Sequence, residues 1–418
     1  MDRCPMHANP MPTTSGQAAL WYADQKRAAN GGYNVSIVWT INQDVPAPEI
    51  AVSWSRLRQE VPALSVRMGL DRDGAVVQWT CAEELAQEYA DFADSPDAEM
   101  EAAAFLSART ARAFDTDGGP LARLVVARVS REVMVVTLVA HHLIVDGVSQ
   151  VHLARRFAAA LQPFGEEPSS QHYADLIDLV RQDESRTHPA DRAYWSERVA
   201  GFLNGADWFA ADPMGDLGVR AGRRRGEVVG ADLASLTAAA RDLGVGLYLL
   251  VAAAVHRAMA MAGVERTVVC SAVSVRPIGG ALDDVVGCFI NLVPLTARHL
   301  PGETLGELVR REAAGWRRDH CHRNLSLLEI GGTGSPPNRL DRVFFSYRET
   351  DPTLTWTGPG PDVSADLFTE YPATRSDLTV RVLRGVDRLH YEVEWSTATP
   401  WGAVFADALE VCLQSPSR

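Results

Sequence analysis

The stretch Val135–Ser149, VVTLVAHHLIVDGVS, constrains this chain more than any other. It lies in a nearly continuous apolar run, Val133 to Ala140, the pattern of a strand buried on both faces. Two histidines follow, then three apolar residues, then Asp146-Gly147. Helical spacing resumes from Val148 to Leu161, with apolar residues at Val148, Val151, Leu153, Phe157 and Leu161. Adjacent strand residues point to opposite faces, so His141 and His142 cannot do the same job. One is packed or hydrogen-bonded inside, and the other faces whatever lies at the strand's end.

At 418 residues the chain is too long for one ordinary core, so two lobes are expected. Its net charge of −13, with no long basic stripe, argues against a nucleic-acid partner. MDRCPMHANPMP has no apolar centre and does not read as a secretory signal. No apolar run reaches the roughly 18 residues that span a membrane, so no membrane partner is expected. Val245 to Met261, broken by His256 and Arg257, suits a buried helix. The cysteines at 4, 81, 270, 288, 321 and 412 form no CxxC pair, and reduced thiols in a cytoplasm are the natural reading.

Read in order, residues 1 to 14 form a loose tail and a helix starts at Ser15. Strands are expected at Tyr33–Ile41, Leu121–Val129 and Val133–His141, with a hairpin of Leu64–Leu70 and Ala75–Thr80. Ile50–Val61 is amphipathic, helices are expected at Ala98–Arg112 and Val148–Leu161, and Pro163–Ser170 reads as a linker. Tyr173–Arg181 and a polar helix through Tyr194-Trp195 open the second half, and Gly201–Gly218 reads as surface loop. Next come a short strand at Gly226–Val229 and helices at Leu233–Leu243 and Leu247–Met261. Strands follow at Thr267–Val275, Val285–Leu295 and Arg342–Tyr347. A hairpin of Leu378–Leu383 and Leu389–Trp395 precedes a helix from Trp401 to Leu413. Each half mixes helices with a sheet, so the class is α/β or α+β.

HHLIVDG offers three things. An imidazole near neutral pKa can accept a proton from an amine or hydroxyl attacking a carbonyl. Asp146 can orient the loop through an ion pair, and Gly147 lets a substrate approach the backbone. Equally, both histidines can be satisfied core residues and Asp146 a simple N-cap. A metal site is disfavoured, because the histidines diverge on a strand and no third ligand follows at helical spacing.

HHLIVDG resembles the HHxxxDG signature of the condensation domains of nonribosomal peptide synthetases and related acyltransferases. The resemblance keeps the family's order along nearly the whole chain. Ser15-Gly16-Gln17 with Leu20-Trp21 resembles its opening motif, and Phe114-Asp115 with Gly119-Pro120-Leu121 its approach to the central strand. Tyr173-Ala174-Asp175, Tyr194-Trp195, Arg276-Pro277 and the block Val286–Leu295 (VGCFINLVPL) follow. The second block, Val61-Pro62-Ala63-Leu64-Ser65, lacks the family's His and Arg, and the sixth is reduced to His322-Arg323-Asn324-Leu325. These departures put a standard amino-acid-condensing subtype in doubt. Gln150 replaces the Trp usual in the epimerase branch, which disfavours epimerisation.

The resemblance implies a V-shaped pair of chloramphenicol-acetyltransferase-like lobes, residues 1–170 and 171–418, with HHLIVDG at the middle of a tunnel. It implies His142 as general base or hydrogen-bond partner of the nucleophile, with His141 structural. Asp146 is expected to pair with Arg276 across the lobes, and Gly147 to leave room at the oxyanion. Asn291 and the Phe345-Ser346-Tyr347 segment are expected to line the tunnel, with the loop from Asp351 to Arg375 covering part of it. The implied function is a free-standing, cytoplasmic, monomeric condensation enzyme of specialised metabolism, without metal or tightly bound cofactor. It would join a thioester donor, on a carrier protein's phosphopantetheine or on coenzyme A, to an amine or alcohol. A non-catalytic recruiting module of the same fold is the competing class. Arg220, Arg223, Arg224 and Arg225 could attract an acidic carrier or the phosphates of coenzyme A, although a solvated loop is the commoner use of such a cluster.

Overall fold

The apolar run becomes the strand its sequence calls for, paired along both edges. The computed structural model describes residues 10–26, 32–81, 86–162, 173–203, 220–277, 282–331, 340–357, 360–367, 376–397 and 399–416. The first part of the chain holds β1 (Met11–Pro12), α1 (Ser15–Lys26), β2 (Asn34–Ile41), α2 (Ala47–Glu60), β3 (Val66–Leu70) and β4 (Val76–Thr80). It continues with β5 (Gln87–Asp91), α3 (Ala98–Ala111), β6 (Ala122–Arg128), β7 (Met134–His141), α4 (Gly147–Ala160) and α5 (Tyr173–Leu203). Then follow β8 (Arg220–Val229), α6 (Gly230–Asp242), α7 (Leu247–Met261), β9 (Arg266–Ser274), β10 (Ile290–Arg298), α8 (Leu305–Cys321) and α9 (Leu327–Ile330). The last elements are β11 (Val343–Arg348), β12 (Thr353–Trp356), β13 (Val363–Asp366), β14 (Leu378–Arg384), β15 (Arg388–Ser396) and α10 (Gly402–Gln414).

Two compact units result. The first comprises Met1–Gln182, Arg276–Phe289 and Pro352–Pro372, and the second Asp183–Val275, Ile290–Asp351 and Ala373–Arg418. The first is built on a sheet of order β12-β13-β2-β7-β6-β5. β7 lies antiparallel to β2 (Asn34 opposite His141) and to β6 (Ala122 opposite Ala140). Its side chains alternate between two covered faces. Trp39 on β2, opposite Val136, packs its ring 4.5 Å from that of Phe157 and donates its indole N–H to the Ala154 carbonyl, so α4 covers that face. Asn34, opposite His141, donates to the carbonyls of Thr110 and Arg112 at the end of α3, which covers the other.

Three strands of this sheet escape the sequence patterns. β12 and β13 lie in the segment expected to be a covering loop; β13 pairs with β2 (Val363 opposite Ile41). Four residues with weak alternation form a strand here because an existing edge accepts their backbone. β5 reads QEYAD, with one strong β-former, and runs parallel to β6 at the opposite edge. The tail is less loose than expected where it is described, since β1 pairs with β4. The linker at 163–170 and nearly all of the loop at 201–218 lie outside the described residues.

The second unit carries a sheet of order β10-β9-β11-β14-β15-β8. Its core centres on α7, whose residues from Leu250 to Val255 are fully buried. The expected segments at 173–181 and around 194–195 are one helix, α5, with Pro189 inside it. β10 begins at Ile290 rather than Val285, because residues 285–289 belong to the first unit.

The arginine cluster is part of strand β8, not a solvated loop. Arg225 and Arg223 stand opposite Glu392 and Glu394 on β15, and Arg381 on β14 pairs with both glutamates. Arg220 reaches Glu394 at 2.9 Å, while Arg224, on the opposite face, pairs with Asp407 and Glu410 of α10. Charge pairing across strands replaces the apolar alternation that would have marked this strand. Gly222 is required here, because a Cβ would stand 2.2 Å from the Trp395 ring.

α7 also buries His256. Its Nδ1 lies 2.6 Å from Thr267 Oγ1, which is 3.3 Å from His299 Nε2, and its ring stacks on Trp316. Burial holds His256 well below the usual imidazole range, and burial lowers His299 to about 4. Unfolded histidines take up protons below about pH 6.5, whereas these resist, so acid favours the unfolded chain. The stability they hold at neutral pH is expected to fall from about pH 6.5 toward pH 4. Melting temperatures over that range should drop less steeply in His256→Leu/His299→Leu than in wild type; parallel curves would refute the assignment.

Cys270, Cys288, Cys321 and Cys412 are free thiols. The expectation of reduced cysteines throughout is corrected at Cys81, which is disulfide-bonded. No single described helix is long and apolar enough to cross a membrane.

Candidate active site

The loop after β7 is pinned residue by residue. The His141 and His142 N–H groups extend the ladder, donating to the carbonyls of Leu121 and Tyr33, each at 2.8 Å. The chain then turns, with the Ile144 N–H on the His141 carbonyl, and Asp146 starts α4. His141 points to the α3 face and is 2% exposed. Its Nδ1 accepts the Leu143 N–H at 3.2 Å, which places the ring proton on Nε2, 3.5 Å from Asp24. The Phe114 ring meets it edge-on at 6.2 Å. His141 is thus engaged in structure. His142 alternates away from that face and is half-buried.

Asp146 combines two roles that the sequence left as alternatives. It N-caps α4 by accepting the Ser149 N–H at 2.8 Å, and it pairs with Arg276 Nη2 at 3.0 Å. Its Oδ2 also accepts the Phe289 N–H at 3.0 Å. Burial alone would raise its pKa, but Arg276 and the N–H groups of Ser149 and Phe289 outweigh it and hold the carboxyl below its usual range. The pairing brings together distant parts of the sequence inside one unit, because Arg276–Phe289 belongs to the same unit as Asp146. Arg276 also donates to the Val285 carbonyl at 2.6 Å and lies over the Phe289 ring.

Ser149 was not singled out from the sequence, yet it is fully buried at this junction. Its hydroxyl donates to the Gly287 carbonyl at 2.8 Å and accepts from the Gly287 N–H at 3.0 Å and from Arg276 at 3.1 Å. The Asp146 N–H also donates to the Gly287 carbonyl. A serine three residues after a helix-capping aspartate was the available signal. At Gly287 a Cβ would lie 2.2 Å from the Phe289 ring and 2.9 Å from that of Tyr173. Gly287→Ala is therefore expected to destabilise the fold by about 1–3 kcal/mol, measured by denaturant unfolding; an unchanged midpoint would refute it. Gly147 is the first residue of α4 and half-buried; its φ is not positive, so what glycine supplies there is the missing side chain.

The residues expected to bind substrate separate. Asn291 is 5% exposed, and its amide donates to the carbonyls of Arg323 and Leu325 and accepts the Leu292 N–H. It therefore anchors the turn that follows α8. Register places Ser271 opposite Phe345 and Val273 opposite Asn291, so Asn291 and Tyr347 share a sheet face and Ser346 points to the other. The Tyr347 ring packs edge-on to Tyr248. Burial pushes its hydroxyl up to about 12. Among the described residues no group of three or more His, Cys, Asp or Glu could hold a metal ion.

The fold is that of condensation domains. It superposes on the starter condensation domain of rhizomide synthetase RzmA, solved with C8-CoA and Leu-SNAC, with a TM-score of 0.79 at 18% identity, covering 97% of this chain and 94% of that one. The first condensation domain of the calcium-dependent antibiotic synthetase gives 0.75 at 17% identity, covering 98% of both. Residues 7–340 match the family described as Condensation domain, and the chain belongs to that family. Phosphinothricin tripeptide synthetase PhsC of Streptomyces viridochromogenes is 28% identical over 328 residues, 73% of this chain and 29% of PhsC. A dimodular nonribosomal peptide synthase of Bacillus subtilis is 25% identical over 333 residues, 75% of this chain and 14% of that protein. The chain thus spans less than a third of either relative.

Proposed function

We propose that this condensation domain transfers an acyl group from a thioester to an amine or alcohol in nonribosomal peptide-type biosynthesis. The observation that carries the reading is the division of labour after β7. His141 and Asp146 are buried and committed to structure, while the half-buried His142 is presented on a loop whose backbone is fixed. The acceptor nitrogen or oxygen attacks the thioester carbonyl, the new C–N or C–O bond forms, and the C–S bond breaks. The proton lost by the acceptor passes through the His142 imidazole to the departing thiolate. A thioester is already activated, so positioning and one base can supply the rest. Donors on phosphopantetheine or coenzyme A fit this chemistry equally, and a starter domain of the same fold was solved with C8-CoA.

The test is thiol release from acyl-coenzyme A and acyl-carrier donors in the presence of pooled amines and alcohols, with product masses read in parallel. Release that needs both an acceptor and His142 supports acyl transfer. Release that persists in His142→Ala overturns the assignment of the site. No release with any donor favours a recruiting module.

A further inference from the structure

A closed ring of three buried side chains lies beneath the His142 loop. Gln17 on α1 donates through Nε2 to the Tyr173 hydroxyl at 3.3 Å. Tyr173, at the start of α5, donates to Gln78 Oε1 at 2.6 Å. Gln78 on β4 donates back to Gln17 Oε1 at 3.4 Å and to the Pro12 carbonyl at 2.7 Å. The Thr14 N–H donates to the same Gln17 oxygen at 3.1 Å. Gln17 and Gln78 are fully buried and Tyr173 is 2% exposed. These partners fix which way each amide points, since reversing Gln17 would set its NH2 against two donors. The remaining N–H of Gln17 donates at 3.1 Å to the carbonyl of Leu143, the residue after His142. On the other side of His142 its own N–H is held by the Tyr33 carbonyl.

We infer that Gln17 is a positioning residue for His142, acting through the Leu143 carbonyl. The inference rests on the acyl-transfer reading only for its effect on rate. A buried amide locked by three partners cannot rotate to follow the loop, so the loop takes the orientation the amide dictates. Gln17→Met keeps shape and burial but removes the donor. Gln78→Met opens the same ring without removing the Leu143 bond, and so reports the stability cost alone.

The experiment compares wild type, Gln17→Met and Gln78→Met, each with 15N-labelled histidine, the His142 ring signals being identified by their loss in His142→Ala. The expected result is displaced or broadened His142 ring signals in Gln17→Met and a smaller change in Gln78→Met. In the folded fraction, kcat of Gln17→Met should fall roughly 10-fold or more while KM stays within about two-fold. Unchanged His142 signals in a folded Gln17→Met protein, or equal effects of the two variants on signals and kcat, would overturn the inference. If wild type shows no His142-dependent transfer, the acyl-transfer reading fails, and the ring signals still decide the role of Gln17.

Discussion

Replacing His142 with alanine is expected to slow acyl transfer by roughly 10²-fold or more while the melting temperature stays near wild type. The structural reason is that a backbone contact at this position, its N–H on the Tyr33 carbonyl, is one that alanine retains. The side chain is half-buried, so truncation opens no sealed cavity. His141→Ala should behave in the opposite way. It deletes a buried ring that accepts the Leu143 N–H and packs against Phe114, so stability falls and activity is lost with it. Rates and melting curves on both variants decide the matter. A stable, fully active His142→Ala would remove the proposed chemistry from this loop.

Arg276→Ala is expected to be the most destabilising single change at the site, by about 3–5 kcal/mol. It leaves Asp146, 1% exposed, without the cation that, together with the Ser149 and Phe289 N–H groups, outweighs its burial. Asn291→Ala removes an amide that satisfies two carbonyls, worth about 1–3 kcal/mol, and should cost less. The pH dependence separates them further. In wild type the Asp146 carboxyl is lowered from 3.8, so the stability of the pair is present above that value and lost as pH falls through the lower, folded one. In Arg276→Ala burial prevails, protonation relieves the stranded charge, and the penalty should shrink on acidification. Urea unfolding of both variants at neutral and acid pH checks this; equal midpoints near wild type would disprove the role of the pair.

Much of this was legible in the sequence, because the strongest signals were local. The apolar run at 133–140 read as a doubly covered strand, and the helical spacing after Asp146-Gly147 as a helix. The Asp146–Arg276 pair required the family resemblance, since nothing local links positions 130 residues apart. What the sequence hid was structure borrowed from neighbours. β12 and β13 are too short to show a period and exist because β2 offers an edge. β8 is held by charges on β15, which read as a basic loop when its partner strand is not in view. Asn291 looked like a polar residue aimed at substrate, yet its amide is taken up by the turn after α8. Ser149 and Gln17 matter for what they touch, and their partners lie 138 and 126 residues away.

The return of Arg276–Phe289 and Pro352–Pro372 to the first unit bears on how the chain comes into being. A nascent chain that has emerged only to Gln182 holds Asp146 without its guanidinium and β2 with an open edge. At about 5–20 residues per second of synthesis, those missing pieces arrive on the order of ten seconds or more after the strand they complete. During that interval the sheet centred on β7 is exposed to wrong partners. An expressed fragment ending near Gln182 should therefore aggregate or remain partly unfolded, and supplying the later segments in trans would be a more demanding rescue than extending the fragment past Pro372.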